Sequence, residues 1–195
     1  MNNSKRGNEI TKKLTVVGIL TAVVTVLSFI KIPIMGASVT LVLPVVVVGA
    51  VMYGPLVAAW LTVIPNIVAL GESALFMTYS LLGTILTMFL KGIFAGLLAG
   101  FVYKLLEKKH HTGGVIAASI VAPMVNSGVF VLGCYMFIWD ALVELAKGAN
   151  VGIGLLLFGL AGLNFIIEMI LNIVLCPAVL RIIEIAKKKN LIKRK

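Results

Sequence analysis

The stretch VTLVLPVVVVGAVMYGPLVAAWLTVIPNIVAL, residues 39–70, decides the fold. Read as one apolar run it is a single membrane span; read as two, it changes which side of the membrane every later loop occupies. Tyr53-Gly54-Pro55 in its middle is a turn signal, because neither Gly nor Pro continues a helix well. The run therefore divides into two short spans, about 40–52 and 56–70, with Pro44 and Pro65 inside them. Each is shorter than the roughly 20 residues that a lone transmembrane helix needs. Such segments must be sheltered by neighbours or broken where they line a cavity.

Working outward, residues 31–38 contain Pro33 and Gly36 and read as a loop, preceded by an apolar span over about 14–30 that follows Lys12 and Lys13. Beyond Leu70, residues 71–78 form a polar interruption with Glu72 and Ser73. A fourth span covers about 79–105, and the solvated loop Glu107-Lys108-Lys109-His110-His111 follows it. The fifth span covers about 115–138, residues 139–150 read as a polar loop with Asp140, Glu144 and Lys147, and the sixth span covers about 151–185. Fourteen of the seventeen Lys and Arg residues lie at the N-terminus (four), near position 106 (three) and toward the C-terminus (seven). Six spans put all three groups on one side, against Lys31 and Lys147 on the other. Five spans would move the loop near Lys108 across and break the rule that basic loops stay in the cytoplasm. The expected architecture is thus an all-α integral membrane protein, one six-helix domain over residues 1–195, with both termini cytoplasmic.

Composition agrees. The 195 residues are 61% hydrophobic, the mean hydropathy is +1.13, and soluble domains are about 45–50% apolar. The net charge of +10 sits at span ends, where topology requires it, so no nucleic-acid partner is expected; the basic tails suit anionic lipid headgroups. Cys134 and Cys176 lie in apolar runs without metal-ligand spacing and read as small buried hydrophobes. The N-terminus does not read as a cleaved signal peptide. No GxxxxGK[ST], HExxH or GxSxG is present, so neither nucleotide hydrolysis nor catalysis is expected, and no metal or cofactor of its own. No inverted repeat of the kind found in large secondary transporters is visible.

Polar residues at membrane depth are functional hypotheses by default. Lys91 lies in the fourth span, Asn126 in the fifth, and Asn164, Glu168 and Asn172 form an i, i+4, i+8 stripe in the sixth. At ~1.5 Å per residue, Lys91, Asn126 and Asn164 fall at one depth, with Glu168 about one turn lower. Two readings stay open: a shared ligand cavity, or Lys91 and Glu168 neutralising each other while the asparagines join helices. Glu72 and Tyr79 in the outer loop, and Trp139, either cap such a cavity or act as connector and interfacial anchor. Gly18 and Ala22, the ladder Gly92, Gly96 and Gly100, and the pair Ala118 and Ala122 are small residues at i, i+4, which let helices approach closely, within the chain or against a partner.

In their order along the chain these features resemble the S components, the substrate-binding membrane subunits, of energy-coupling factor (ECF) vitamin transporters. Lys12-Lys13-Leu14-Thr15 through Gly18 to Ala22 resembles the family's first helix and its AxxxA motif, with Gly in the first place. Leu43-Pro44-Val45 to Tyr53-Gly54-Pro55 resembles the second helix and the tight turn into the third. Lys91-Gly92-Ile93-Phe94-Ala95-Gly96 resembles a fourth-helix motif that often carries Pro-Arg where Leu90-Lys91 stands. Asn126-Ser127 with Val131-Leu132-Gly133, and Asn164 to Glu168 with Pro177, resemble the fifth and sixth helices, most closely in the pantothenate-type subgroup. The resemblance implies a non-enzymatic subunit of a bacterial cell membrane that captures a vitamin from outside and docks onto a coupling subunit and two ATPases, which use the ATP. It implies substrate contacts from Lys91, Asn126, Asn164 and Glu168, capping by Glu72, Tyr79 and Trp139, and docking through Gly18 and Ala22. The alternatives are an S component for another micronutrient (hydroxymethylpyrimidine, pyridoxine, queuine, folate or riboflavin) and a stand-alone transporter.

Overall fold

The structure, a computed structural model, describes residues 2–34 and 37–189, and within them every side chain except those of 2–6, 8, 32–34, 37–39, 72, 75 and 187. Among the described residues four stretches are long and apolar enough to cross a membrane: Glu9–Phe29, Leu81–Leu106, His111–Phe137 and Ile153–Ala186. The first belongs to α1 (Asn2–Phe29), and the next two are α6 and α7. The last runs through α9 (Ile153–Leu157), a π-helical turn (Phe158–Gly162) and into α10 (Leu163–Lys188). Between α1 and α6 come the shorter α2 (Val42–Tyr53), α3 (Pro55–Leu61), α4 (Val63–Glu72) and α5 (Ala74–Tyr79).

The decisive stretch does divide at Gly54. Its backbone has φ 94° and ψ −178°, a region essentially closed to residues with a Cβ, and Pro55 opens α3 at a position where a helix needs no N–H. Nothing lies within 4 Å of a Cβ built at Gly54, so the cost of a side chain there is conformational alone. Gly54→Ala is expected to destabilise the subunit by about 1–3 kcal/mol, read as a lowered midpoint of thermal unfolding in detergent; an unchanged midpoint would show that the turn relaxes freely.

The 56–70 span is two helices. Pro65 lacks the N–H that would bond the Leu61 carbonyl, and its ring crowds that carbonyl; the helix breaks at Thr62, whose Oγ1 donates to the Ala59 carbonyl at 2.7 Å. Pro44 falls in the first turn of α2, where its missing donor costs nothing. Although short, α2 is sheltered: Val42, Leu43, Val46, Val47, Val48 and Ala50 are all buried, with α1, α3, α6, α7 and α10 packed around it.

Three loops of the sequence reading are corrected. The loop read at 31–38 and the residue after it carry two antiparallel strands, β1 (Ile32–Ile34) and β2 (Ala37–Val39), paired Ile32 to Val39, which add a small sheet to the helices among the described residues. The polar interruption at 71–78 holds the end of α4 and α5. The polar loop at 139–150 is largely α8 (Trp139–Gly148), which buries Ala141, Leu142 and Ala146 on one face. Asp140 in its first turn and Lys147 in its last complement the helix dipole. Composition hid this helix, because an amphipathic helix is as polar as a loop.

Glycine sets the closest approaches. A Cβ on Gly96 would lie 2.6 Å from the Ala58 carbonyl carbon, and one on Gly100 would lie 2.8 Å from Pro55 Cβ, so α6 meets α3 backbone to backbone. One cluster joins Met52, Tyr103, Val115, Ile183 and Ala186, with Val16 packed against it. Val16 of α1 and the end of α10 therefore share one end of the bundle. Toward the opposite end, Cys134, Ile138, Ala141 and Leu142 form a second cluster, and the two cysteines are buried and free.

Candidate functional site

Between these clusters lies a cavity of about 280 Å³, lined from α1, α2, α4, α6, α7 and α10, slightly under the usual ~300–1,000 Å³ of small-molecule sites. It brings together Lys91, Asn126, Asn164 and Glu168. It also takes in Asn66, Phe130 and Lys31, which sequence reasoning missed. Two of these had a signal: Asn66 is a polar residue deep in an apolar run beside Pro65, and Phe130 lies one turn beyond Asn126 on the same face.

Each side chain is placed by a local feature. Asn66 reaches α6 because residue 92 is Gly; a Cβ there would be 2.7 Å from Asn66 Oδ1. The π-helical turn ends just before Asn164. Its wider winding rotates the following residues relative to a continuous α-helix, and such turns recur at functional sites. The hydroxyls of Ser28, Thr62 and Ser73 donate to the carbonyls of Val24, Ala59 and Ala69 in their own helices, so they present lone pairs to the cavity.

The two charges at membrane depth are not joined. Lys91 Nζ sits 5.0 Å from the centre of the Phe130 ring, and among the described residues no carboxylate is within ion-pair distance of it. Glu168 Oε1 accepts a long hydrogen bond of 3.4 Å from Asn164 Nδ2. The Asn172 amide donates to the Glu168 carbonyl at 2.9 Å, steadying that turn of α10. Glu168 and Asn172 are 5% and 2% exposed; among the described residues Glu168 Oε2, Asn164 Oδ1 and Asn66 Nδ2 have no hydrogen-bond partner. Buried polar atoms without partners are rare in folded proteins. Lys31, at the end of α1 and outside the spans, has its pKa lowered by partial burial of its ammonium. Glu168 is the one carboxylate among the described lining residues, so acid–base chemistry by a carboxylate pair has no second member there. An ammonium, a carboxylate and adaptable amides around a small cavity are a binding arrangement.

Two of the three proposed caps are not brought to it. Tyr79 is 48% exposed and Trp139 is 38% exposed, with Trp139 edge-on to Tyr135 at 5.4 Å; neither lines the cavity. The side chain of Glu72 lies outside the described residues. Gly18 and Ala22 are exposed on one face of α1, and nothing comes within 4 Å of a Cβ built at Gly18.

Compared with known proteins, the chain matches the family model described as "ECF transporter, substrate-specific component" over residues 12–180. No curated protein and no solved structure matches it.

Proposed function

The chain belongs to the family of ECF transporter substrate-specific components, and from that premise we propose that it is the vitamin-capturing subunit of an ECF importer in a bacterial cell membrane. Members of this family bind a small-molecule substrate and pair with a membrane coupling subunit and ATPases. The chain forms one domain of six spans with both termini cytoplasmic: the four long helices, α2, and α3 with α4. Support for this comes from the positive-inside distribution and from the shelter that α2 receives from its neighbours. The observation that carries the reading is the cavity itself, where Lys91, Asn126, Asn164 and Glu168 converge from three helices at membrane depth.

The substrate is of the pantothenate type. Lys91 lines the cavity over the Phe130 ring with no carboxylate at ion-pair distance among the described residues, which favours an anion of modest size. The test is titration of the purified subunit in detergent with a vitamin panel, followed by the fluorescence of Trp60 and Trp139. Saturable tight binding of pantothenate supports the assignment, and tight binding of another vitamin replaces pantothenate by that cargo. Binding of nothing on the panel removes the capture function. In the same assay, Lys91→Met is expected to cost about 1.5–3 kcal/mol by leaving the anion desolvated without its charged donor, roughly a 10- to 150-fold weaker affinity. Unchanged affinity would make Lys91 a structural residue.

A further inference from the structure

The cavity has two chemically opposite walls. On the α6 side Lys91 is held over the Phe130 ring at 5.0 Å. A ring face attracts a cation but takes up none of its hydrogen bonds in the way a carboxylate would, so the ammonium keeps donors for a ligand. On the α10 side the atoms of described lining residues without a partner are acceptors, Glu168 Oε2 and Asn164 Oδ1. The orientation of the Asn164 amide follows from chemistry: its Nδ2 faces the Glu168 carboxylate, which only accepts while ionised, so its oxygen is the atom turned away. Glu168 is itself 5% exposed, too buried for water to compensate it easily. Asn66, nearest the α6 wall, carries an amide whose two ends exchange by rotation, and it adapts to either chemistry.

Had Lys91 and Glu168 formed an ion pair, each would have consumed the other and the cavity would select neutral molecules. The two charges lie within electrostatic reach of each other but make no direct ion pair, which leaves two poles for a ligand to bridge. We propose that the ligand is a compact organic anion with hydrogen-bond donors at its far end: its anionic group meets Lys91 while a hydroxyl, amide N–H or ammonium donates to Glu168 Oε2 and Asn164 Oδ1. Glu168 is then a specificity-determining residue that rejects plain carboxylic acids, since an acid without donors leaves two buried acceptors unpaired. This inference rests on the substrate-capture reading and narrows it.

The experiment is calorimetric titration of the full-length subunit in detergent. Three matched probes are pantothenate, panthenol (the same donors, with an alcohol in place of the carboxylate) and heptanoate (a carboxylate without donors). Biotin, nicotinate, riboflavin and pyridoxine complete the set. The expected result is that an acid bearing donors, pantothenate or biotin, binds at least 100-fold tighter than panthenol, heptanoate and nicotinate. Glu168→Met should shrink the preference for the donor-bearing acid over heptanoate at least tenfold, and Glu168→Gln, which keeps an acceptor oxygen, should shrink it less. The variants' helical signal and unfolding midpoint report whether they fold. The inference is overturned if a neutral vitamin or nicotinate is the tight ligand, or if folded Glu168→Gln and Glu168→Met keep the full preference; the capture reading survives either result. If nothing binds, the capture reading falls and the inference with it.

Discussion

Gly18→Leu and Ala22→Leu are expected to reduce vitamin uptake by cells more than tenfold and to leave ligand affinity of the purified subunit within about twofold of wild type. Both positions lie on the exposed face of α1, with Ile19 58% and Val26 60% exposed beside them. The space around Gly18 is open: a Cβ built there meets nothing within 4 Å. The nearest cavity residue on α1 is Ser28, ten positions and thus about 15 Å along the helix from Gly18. A bulky side chain on this face changes what can approach α1 from outside, which in a membrane is decided by small residues that let backbones come close. Uptake assays in cells that supply an energising module, paired with binding on purified protein, separate the two effects. Wild-type uptake in both variants would remove α1 as the docking face, and lost binding would show that the face is structural.

The opposite pattern is expected one layer in. Gly96→Leu and Gly100→Leu should yield little folded subunit and no measurable binding, although neither residue lines the cavity. Overpacking ordinarily costs about 1–3 kcal/mol because side chains move aside. Here the obstacles include the backbone of Ala58 and the Pro55 ring, which move only if α3 moves, and α3 leads directly into the break at Thr62 that places Asn66. Gly128, exposed and with nothing within 4 Å of a built Cβ, supplies the control: Gly128→Leu should fold normally. Size-exclusion profiles and thermal unfolding in detergent read the difference. Normal unfolding midpoints for Gly96→Leu and Gly100→Leu would mean that the α3–α6 contact yields without cost.

The ladder Gly92, Gly96, Gly100 and the pair Gly18, Ala22 look alike as sequence, yet the first is spent inside the bundle and the second faces outward. Spacing reports that a helix can approach something closely; it carries no information about what. The polar residues behave differently. Lys91, Asn126, Asn164 and Glu168 were legible because burial of a polar group in lipid is costly enough that any such residue needs a reason, and counting rise per residue set three of them at one level. Tyr79 and Trp139 do not line the cavity; aromatic residues near a membrane surface serve as anchors as readily as caps, and the choice depends on a rotation about the helix axis that residue counting does not resolve.

By itself the sequence determined that lipid is the solvent, where the long helices lie, that the run at 39–70 turns at Gly54, and which polar residues stand at membrane depth. These are one-dimensional consequences of hydrophobic length, of the backbone freedom of glycine and of the cost of desolvating charge. Only the tertiary structure decided that Lys91 rests against Phe130 rather than Glu168, that Asn66 completes the cavity through the gap at Gly92, and that residues 139–148 form a helix. Those outcomes depend on distances between segments far apart in the chain and on helix rotation, including the extra winding of the π turn before Asn164, and such quantities exist only once the helices are packed.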